Sequence, residues 1–284
     1  MINRALLSVA TVFLCAGTLV AEPAGQLPQA QPFQDAFDSE TFPAAHAPEV
    51  APTFAWSFGV RNDYRYFYSQ QTQNRVVMTT VGNVAQDLSS ISDLYVQSGG
   101  GHQAQVSFGK GDIRATKWTN GGQPELSHET TEAAPIGMLN EDGRFQAQAQ
   151  GQGPFVKLVF PAVARTIAVC ESVEVPFELE FTVIGLDIPV KGVSRITNTG
   201  YVTFSGQLCA RLQHEMIFEK AEVPGGSYAF TAKAKAISLF AVALRRFVKA
   251  TATMSVSLVA TPSAGPTVVT TRVQSDNLVK VVAR

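Results

Sequence analysis

The chain has 284 residues, 45% of them hydrophobic and only 16% charged, against the ~25% charge usual in a globular protein. Lysine and arginine number 22 and the acids 23, a formal net charge of −1. That balance gives no electrostatic footprint for nucleic acid and excludes it as a partner class.

In chain order, Arg4 comes first, then an apolar run from Ala5 to Val20, then small Ala21 before Glu22 and Pro23. This is the layout of a secretory signal peptide over residues 1–21. The run is shorter than the roughly 20 apolar residues of a spanning helix, so the leader is expected to be removed, leaving no integral membrane span. Leu14, not a small residue, precedes Cys15, which speaks against a lipid anchor. Without Arg4 the mature chain carries 21 basic residues against 23 acidic, a net charge of −2. The expected location is exported: periplasm, cell surface or medium.

Residues 22–52 hold six prolines among Ala, Gln and Glu and show no long hydrophobic period, the composition of a disordered or extended linker. Phe33 and Phe37 lie four apart, so a brief helical turn would place both on one side. They are candidate contacts for an envelope partner, or for the protein's own sheet.

From Phe54 the period becomes two, the spacing that sends alternate side chains to opposite faces of a strand. Tyr64, Tyr66 and Tyr68 alternate with Arg65 and Phe67. Strand patterns continue over 76–81, 104–108, 113–118, 145–150 and 155–160. In the second half Val173, Val175, Phe177, Leu179, Phe181 and Val183 share one face, while Glu174, Glu178 and Glu180 share the other. Further strands are expected over 190–196, 201–212, 216–220, 228–238, 250–260, 268–273 and 278–282. Gly99–Gly101, Gly109–Gly111, Asp142-Gly143, Gly151–Pro154, Pro224–Gly226 and Pro262–Pro266 read as turns between them. Short strands at such intervals predict a mainly β protein: an antiparallel curved sheet, open barrel or sandwich, with room for one short covering helix. Residues 53–284 then form a single β-rich domain, divisible at most into halves 53–153 and 154–284.

Two stretches fit helix as well as strand. In Asp87–Val96, Leu88, Ile91, Leu94 and Tyr95 have helical spacing; in Ala234–Lys249, so do Ile237, Phe240, Ala241, Leu244 and Val248. Arg245, Arg246 and Lys249 would suit a helix C-terminus, and they are candidate contacts for lipid headgroups or an acidic partner. Loss of the leader removes Cys15 and leaves Cys170 and Cys209, expected to pair as a disulfide in an oxidising compartment.

No catalytic, cofactor or metal motif stands out. His128 with Glu129 and Glu132, and His214 with Glu215, are the nearest approach to zinc ligands, but no HExxH occurs. No Ser sits in a GxSxG elbow, and the glycine runs lack phosphate-loop spacing. An outer-membrane barrel shares the strand rhythm, but the prolines and the charged face at Glu174–Glu180 oppose it.

Three segments carry a resemblance: Trp56–Tyr68; Ala134-Pro-Ile-Gly with Leu139–Phe145 around Asp142-Gly143; and Leu158–Arg165 with Phe160-Pro161. Together they resemble a family of exported, β-rich bacterial proteins of uncharacterised function. The Gly and Trp usual in that family after the Pro-marked strand are replaced here by the Cys170 region. The opening Phe54–Tyr68 also resembles the first strands of vitellogenin-type lipid-transport sheets. Both resemblances imply a curved β scaffold, and neither transfers a catalytic residue.

The functional expectation is an exported, non-enzymatic binding protein of the cell envelope that shelters an apolar small molecule or lipid. Two alternatives stand beside it. One is a structural or adhesive protein acting through protein–protein contacts, and the other is a hydrolase or metalloenzyme with an unrecognised site.

Overall fold

The computed structural model describes residues 33, 37–38, 42–47, 58–79, 82–148, 153–163, 166–183, 186–219, 226–262 and 270–284. The leader expected over 1–21 lies outside them. The strands are β1 (Tyr64–Met78), β2 (Gly82–Ser98), β3 (Gln103–Thr119), β4 (Glu125–Thr131), β5 (Ala134–Asn140) and β6 (Phe145–Ala147), then β7 (Ser172–Val183), β8 (Leu186–Phe204), β9 (Gln207–Phe218), β10 (Gly226–Ala241), β11 (Arg246–Pro262) and β12 (Thr271–Ala283). A seven-residue helix, α1 (Gly153–Val159), separates β6 from β7.

All twelve strands join one antiparallel sheet in the order β6-β5-β3-β2-β1-β12-β11-β10-β9-β8-β7, with β4 beside the second half of β3. The sheet curls into a half-barrel, as the alternating pattern led one to expect. Its first and last strands in sequence meet at the centre, where β1 pairs with β12 from Tyr66↔Ala283 to Met78↔Thr271. Asp93 fastens this seam, binding Arg65 at 2.6 Å and Arg284 at 2.7 Å. The Arg65 hydrogen bond holds the Asp93 carboxyl below its ordinary range.

Turn chemistry sets the hairpins. Gly100-Gly101 and Ser205-Gly206 both have two successive residues at positive φ, the geometry whose twist matches a two-residue hairpin loop. The Ser205-Gly206 turn divides the expected strand 201–212 between β8 and β9. Gly109–Gly111, expected to be a turn, lies inside β3 at a bulge opposite Ser92 and Leu94. The glycines there serve close approach, since a Cβ on Gly109 would meet the Tyr95 ring at 2.9 Å.

Residues 155–160, expected to be a strand, form most of α1 and its exit. Pro154 suits a helix's first turn, and Pro161 ends it after Phe160. Phe155, Val156, Leu158 and Val159 are all buried. A short run that is apolar on every side looks the same in sequence whether it becomes buried strand or buried helix.

The Ala234–Lys249 stretch is not a helix but the β10–β11 hairpin, turning at residues 242–245. Its helical rhythm arose because both faces of β10 are buried here. Ala234, Ala236, Ser238 and Phe240 face the concave interior, while Leu239 and Ala241 join Val202, Cys209 and Val248 in a cluster on the convex side. A strand covered on both faces loses its alternation. Asp87–Val96 is likewise strand, its apolar residues shared between a buried Leu94 and an exposed Ile91 on the other face.

The expected disulfide is absent: Cys170 is exposed and Cys209 buried, both as free thiols. Cys170 donates its N–H to Asn198 of β8 from the β7 side, at 2.8 Å, while Cys209 sits across β8 on β9. Two strand spacings, about 10 Å, exceed the roughly 7 Å Cα separation a disulfide spans. Burial pushes the Cys209 thiol up to about 11.

The main core fills the concavity. α1 lies in it, touching β10, β11 and β12 in the middle and β6 and β7 at the two ends. Its exit residue Phe160 packs on Tyr66 at 5.3 Å, Phe247 at 5.6 Å and Phe58 at 6.2 Å between ring centroids.

Candidate functional site: a cleft between two sheet edges

Among the described residues, β6 and β7 end the sheet, each with one strand neighbour. α1 bridges them from below, and a cleft of about 250 Å³ opens above it. Its apolar walls are Phe145 from β6, Phe160 and Ala162 from the α1 exit, Val175 and Phe177 from β7, and Met216 from β9. Arg144, Lys157 and Glu178 form its polar rim.

Each edge supports its phenylalanine on a glycine. Phe145 lies over Gly137 of β5, where a Cβ would stand 2.5 Å from the ring; Phe177 pairs across from Gly192 of β8, where a Cβ would stand 2.8 Å away. A glycine inside a strand commonly marks such a close approach. Phe218 then braces Phe177 edge-on, with centroids 5.4 Å apart.

Below Met216, the buried His214 ties three elements together. Its Nδ1–H donates to the Leu158 carbonyl of α1 at 3.1 Å, and its Nε2 accepts the hydroxyl of Ser194 on β8. Burial pushes the imidazole down to about 4, opposed by the Leu158 bond, so it is neutral at pH 7. Ser194 lines the cleft, which places a serine beside a histidine. The second ring nitrogen is committed to a backbone carbonyl and not to a carboxylate, and Ser194 lies within the ladders to Val175 and Met216. A nucleophile needs its base oriented and an oxyanion supported by free donors; the arrangement instead anchors α1.

The zinc-ligand types singled out in sequence are dispersed. Glu215 alternates with His214 and is exposed on the opposite face. His128 is exposed on β4 beside Asp112 at 3.2 Å. Among the described residues no three His, Cys, Asp or Glu side chains come together.

The candidate partner contacts lie away from the cleft. Phe33 is half-buried and borders a separate groove of about 620 Å³ running along β9 to β12. Phe37 is buried, with Lys235 Nζ 4.4 Å above its ring and Lys235 also 3.5 Å from Asp38. Lys249 caps the Phe42 ring at 4.6 Å, and Arg246 lies 5.0 Å over Tyr64. Arg245 occupies the β10–β11 turn at positive φ, its carbonyl accepting the Gly59 N–H at 2.7 Å. The segment 42–47 crosses the convex face through a His46↔Tyr201 bridge. Gly200 lies at positive φ beneath it, where a Cβ would stand 2.9 Å from the His46 carbonyl.

Sequence reasoning missed Phe145, Lys157, Phe160, Phe177 and Met216 as one site. The signal available was Gly192 inside an otherwise continuous strand pattern, which marks a close approach without naming the ring that fills it.

No protein-family model matches the chain, and no curated protein matches it. Among solved structures, one on lipid–protein interactions in lipovitellin is similar at 12% identity and a TM-score of 0.41, covering 78% of this chain and 25% of that one. OccK7 (OpdD) of Pseudomonas aeruginosa is similar at 5% identity and a TM-score of 0.22, covering 78% of this chain and 99% of that one. This chain thus spans a quarter of the lipovitellin chain.

Proposed function

We propose that the protein is an exported, non-enzymatic binding module of the cell envelope that holds an apolar molecule in the cleft between β6 and β7. The observation that carries this reading is the pair of glycine-backed phenylalanines, Phe145 and Phe177, facing each other across a gap that α1 leaves open. α1 lies in the concavity against β10, β11 and β12, so the ligand enters between the sheet edges. Ligand pockets are commonly apolar with a few polar groups at the rim, as here.

The test uses an environment-sensitive fluorescent fatty acyl probe and organic extraction of the natively purified protein. A saturable fluorescence rise and a co-purifying apolar molecule are expected. Ala162→Phe, at a partly exposed position that lines the cleft, removes both while leaving the melting temperature within a few degrees. Protein that carries no extractable lipid and leaves the probe dark would end the proposal.

Protein–protein contact through a sheet edge has one observation in its favour. β4 is exposed on both faces from Glu125 to Thr130, and Leu126 on it is 80% exposed. A strand of that kind can pair with an added strand. Its Glu125 and Glu129 also discourage such pairing, which leaves the cleft as the better-supported site.

A further inference from the structure

The rim of the cleft carries an unbalanced charge. Arg144 is bound to Asp142 at 3.2 Å, and Glu178 to Lys191 at 2.8 Å. Lys157, on the cleft side of α1, is half-buried and donates to the Glu178 backbone carbonyl at 3.1 Å. Among the described residues no carboxylate lies within ion-pair distance of its ammonium. Burial lowers its proton affinity from the ordinary lysine range, partly offset by the nearby Glu178 charge. A partly desolvated cation held by a neutral carbonyl gains more from an anion than a solvated one does.

Resting on the reading of the cleft as a ligand site, we infer that it takes a single-chain amphiphile whose anionic head pairs with Lys157 while its alkyl tail lies between Phe145, Phe160 and Phe177. The volume supports one chain: about 250 Å³ falls below the roughly 300–1,000 Å³ of drug-sized pockets. A lipid with several chains would need α1 displaced, and α1 is fixed through the Leu158 and Val159 carbonyls to His214 and Ser238.

The experiment is calorimetric titration of the delipidated protein with n-alkyl carboxylates from hexanoate to dodecanoate, alongside the matching n-alkanols. Affinity is expected to rise about fourfold per methylene and to stop rising once the chain outgrows the cleft. At pH 7 each carboxylate binds about tenfold more tightly than its alkanol, a comparison that needs no variant. Lys157→Met then erases that preference while alkanol affinity stays within about twofold, showing that the fold and tail site survive. Equal binding of acids and alkanols, unchanged by Lys157→Met, would overturn the headgroup assignment and leave the cleft standing. If no chain of either type bound, the cleft reading itself would fall.

Discussion

Two stretches of β1 face the same interior and fill it with opposite chemistry. Tyr64 and Tyr66 lie among Phe58, Phe160 and Phe247 in an aromatic cluster built around the α1 exit. A few residues along, Gln70 and Thr72 are equally buried but belong to a polar chain. Tyr68 Oη donates to Gln70 Oε1 at 2.7 Å, Gln70 Nε2 to Thr72 Oγ1 at 3.1 Å, and Thr72 Oγ1 to Asn277 Oδ1 at 2.7 Å. Asn277 Nδ2 continues it to Ser275 Oγ at 3.2 Å and to the Met254 carbonyl at 3.4 Å. The contrast teaches that this half-barrel has two ways of closing its concave face. Where α1 supplies apolar cover, the sheet answers with aromatic rings; elsewhere its own side chains satisfy one another, because a buried polar group without a partner is costly.

The sharpest way to break the comparison is at the aromatic end. Phe160→Ala removes the ring on which Tyr66, Phe58 and Phe247 converge, and should lower unfolding free energy by about 3–5 kcal/mol in denaturant titrations. A loss below about 1 kcal/mol would show that α1 is not the cover of this core.

Acid should act next most strongly, through the anchor of α1. The unfolded chain takes up the His214 proton near 6.5 and the folded one only near 4. Between those values the unfolded state holds the extra proton. Stability is therefore complete above about pH 6.5 and declines as pH falls toward 4, by about 3 kcal/mol. Asp93, held low by Arg65, acts in the same direction at still lower pH. His214→Gln should flatten the profile between pH 6.5 and 4, seen as melting temperatures that change little over that window. An unaltered slope in the variant would remove His214 from this role.

The smallest effects sharpen the contrast between the two stretches. Asn277→Ala leaves Thr72 and Gln70 short of partners and should cost about 1–3 kcal/mol. Tyr66→Phe deletes a buried hydroxyl that has no hydrogen-bond partner, so stability should hold or rise by about 1 kcal/mol. Equal costs at both positions would mean that the interior does not distinguish them.

The curved antiparallel sheet was legible because most strands bury one face. β7 shows this directly, with Phe177, Leu179 and Phe181 alternating against Glu178 and Glu180. Legibility failed where a segment is covered on every side: α1 read as strand, and the C-terminal half of β10 fitted helix and strand equally well. The error and the ambiguity share one cause, since α1 covers the concave face of β10 and the 42–47 segment covers its convex face. The Cys170–Cys209 pairing failed because sequence separation says nothing of β8 lying between them. The cleft was hidden for a related reason. Phe145 and Phe177 belong to the first and last strands of the sheet order, and only the curl brings them to one gap. Gly192 was visible as a glycine within an expected strand, but which ring it receives depends on register.

The most direct test of the account is a nuclear magnetic resonance titration of the protein with decanoate, following Met216, Phe145, Phe177 and Lys157 side-chain signals. A chain held between the sheet edges gives saturable one-to-one shifts confined to these groups and to Ala162. Shifts that never saturate, or that gather along the β9–β12 groove near Lys233 and Lys235, would contradict it.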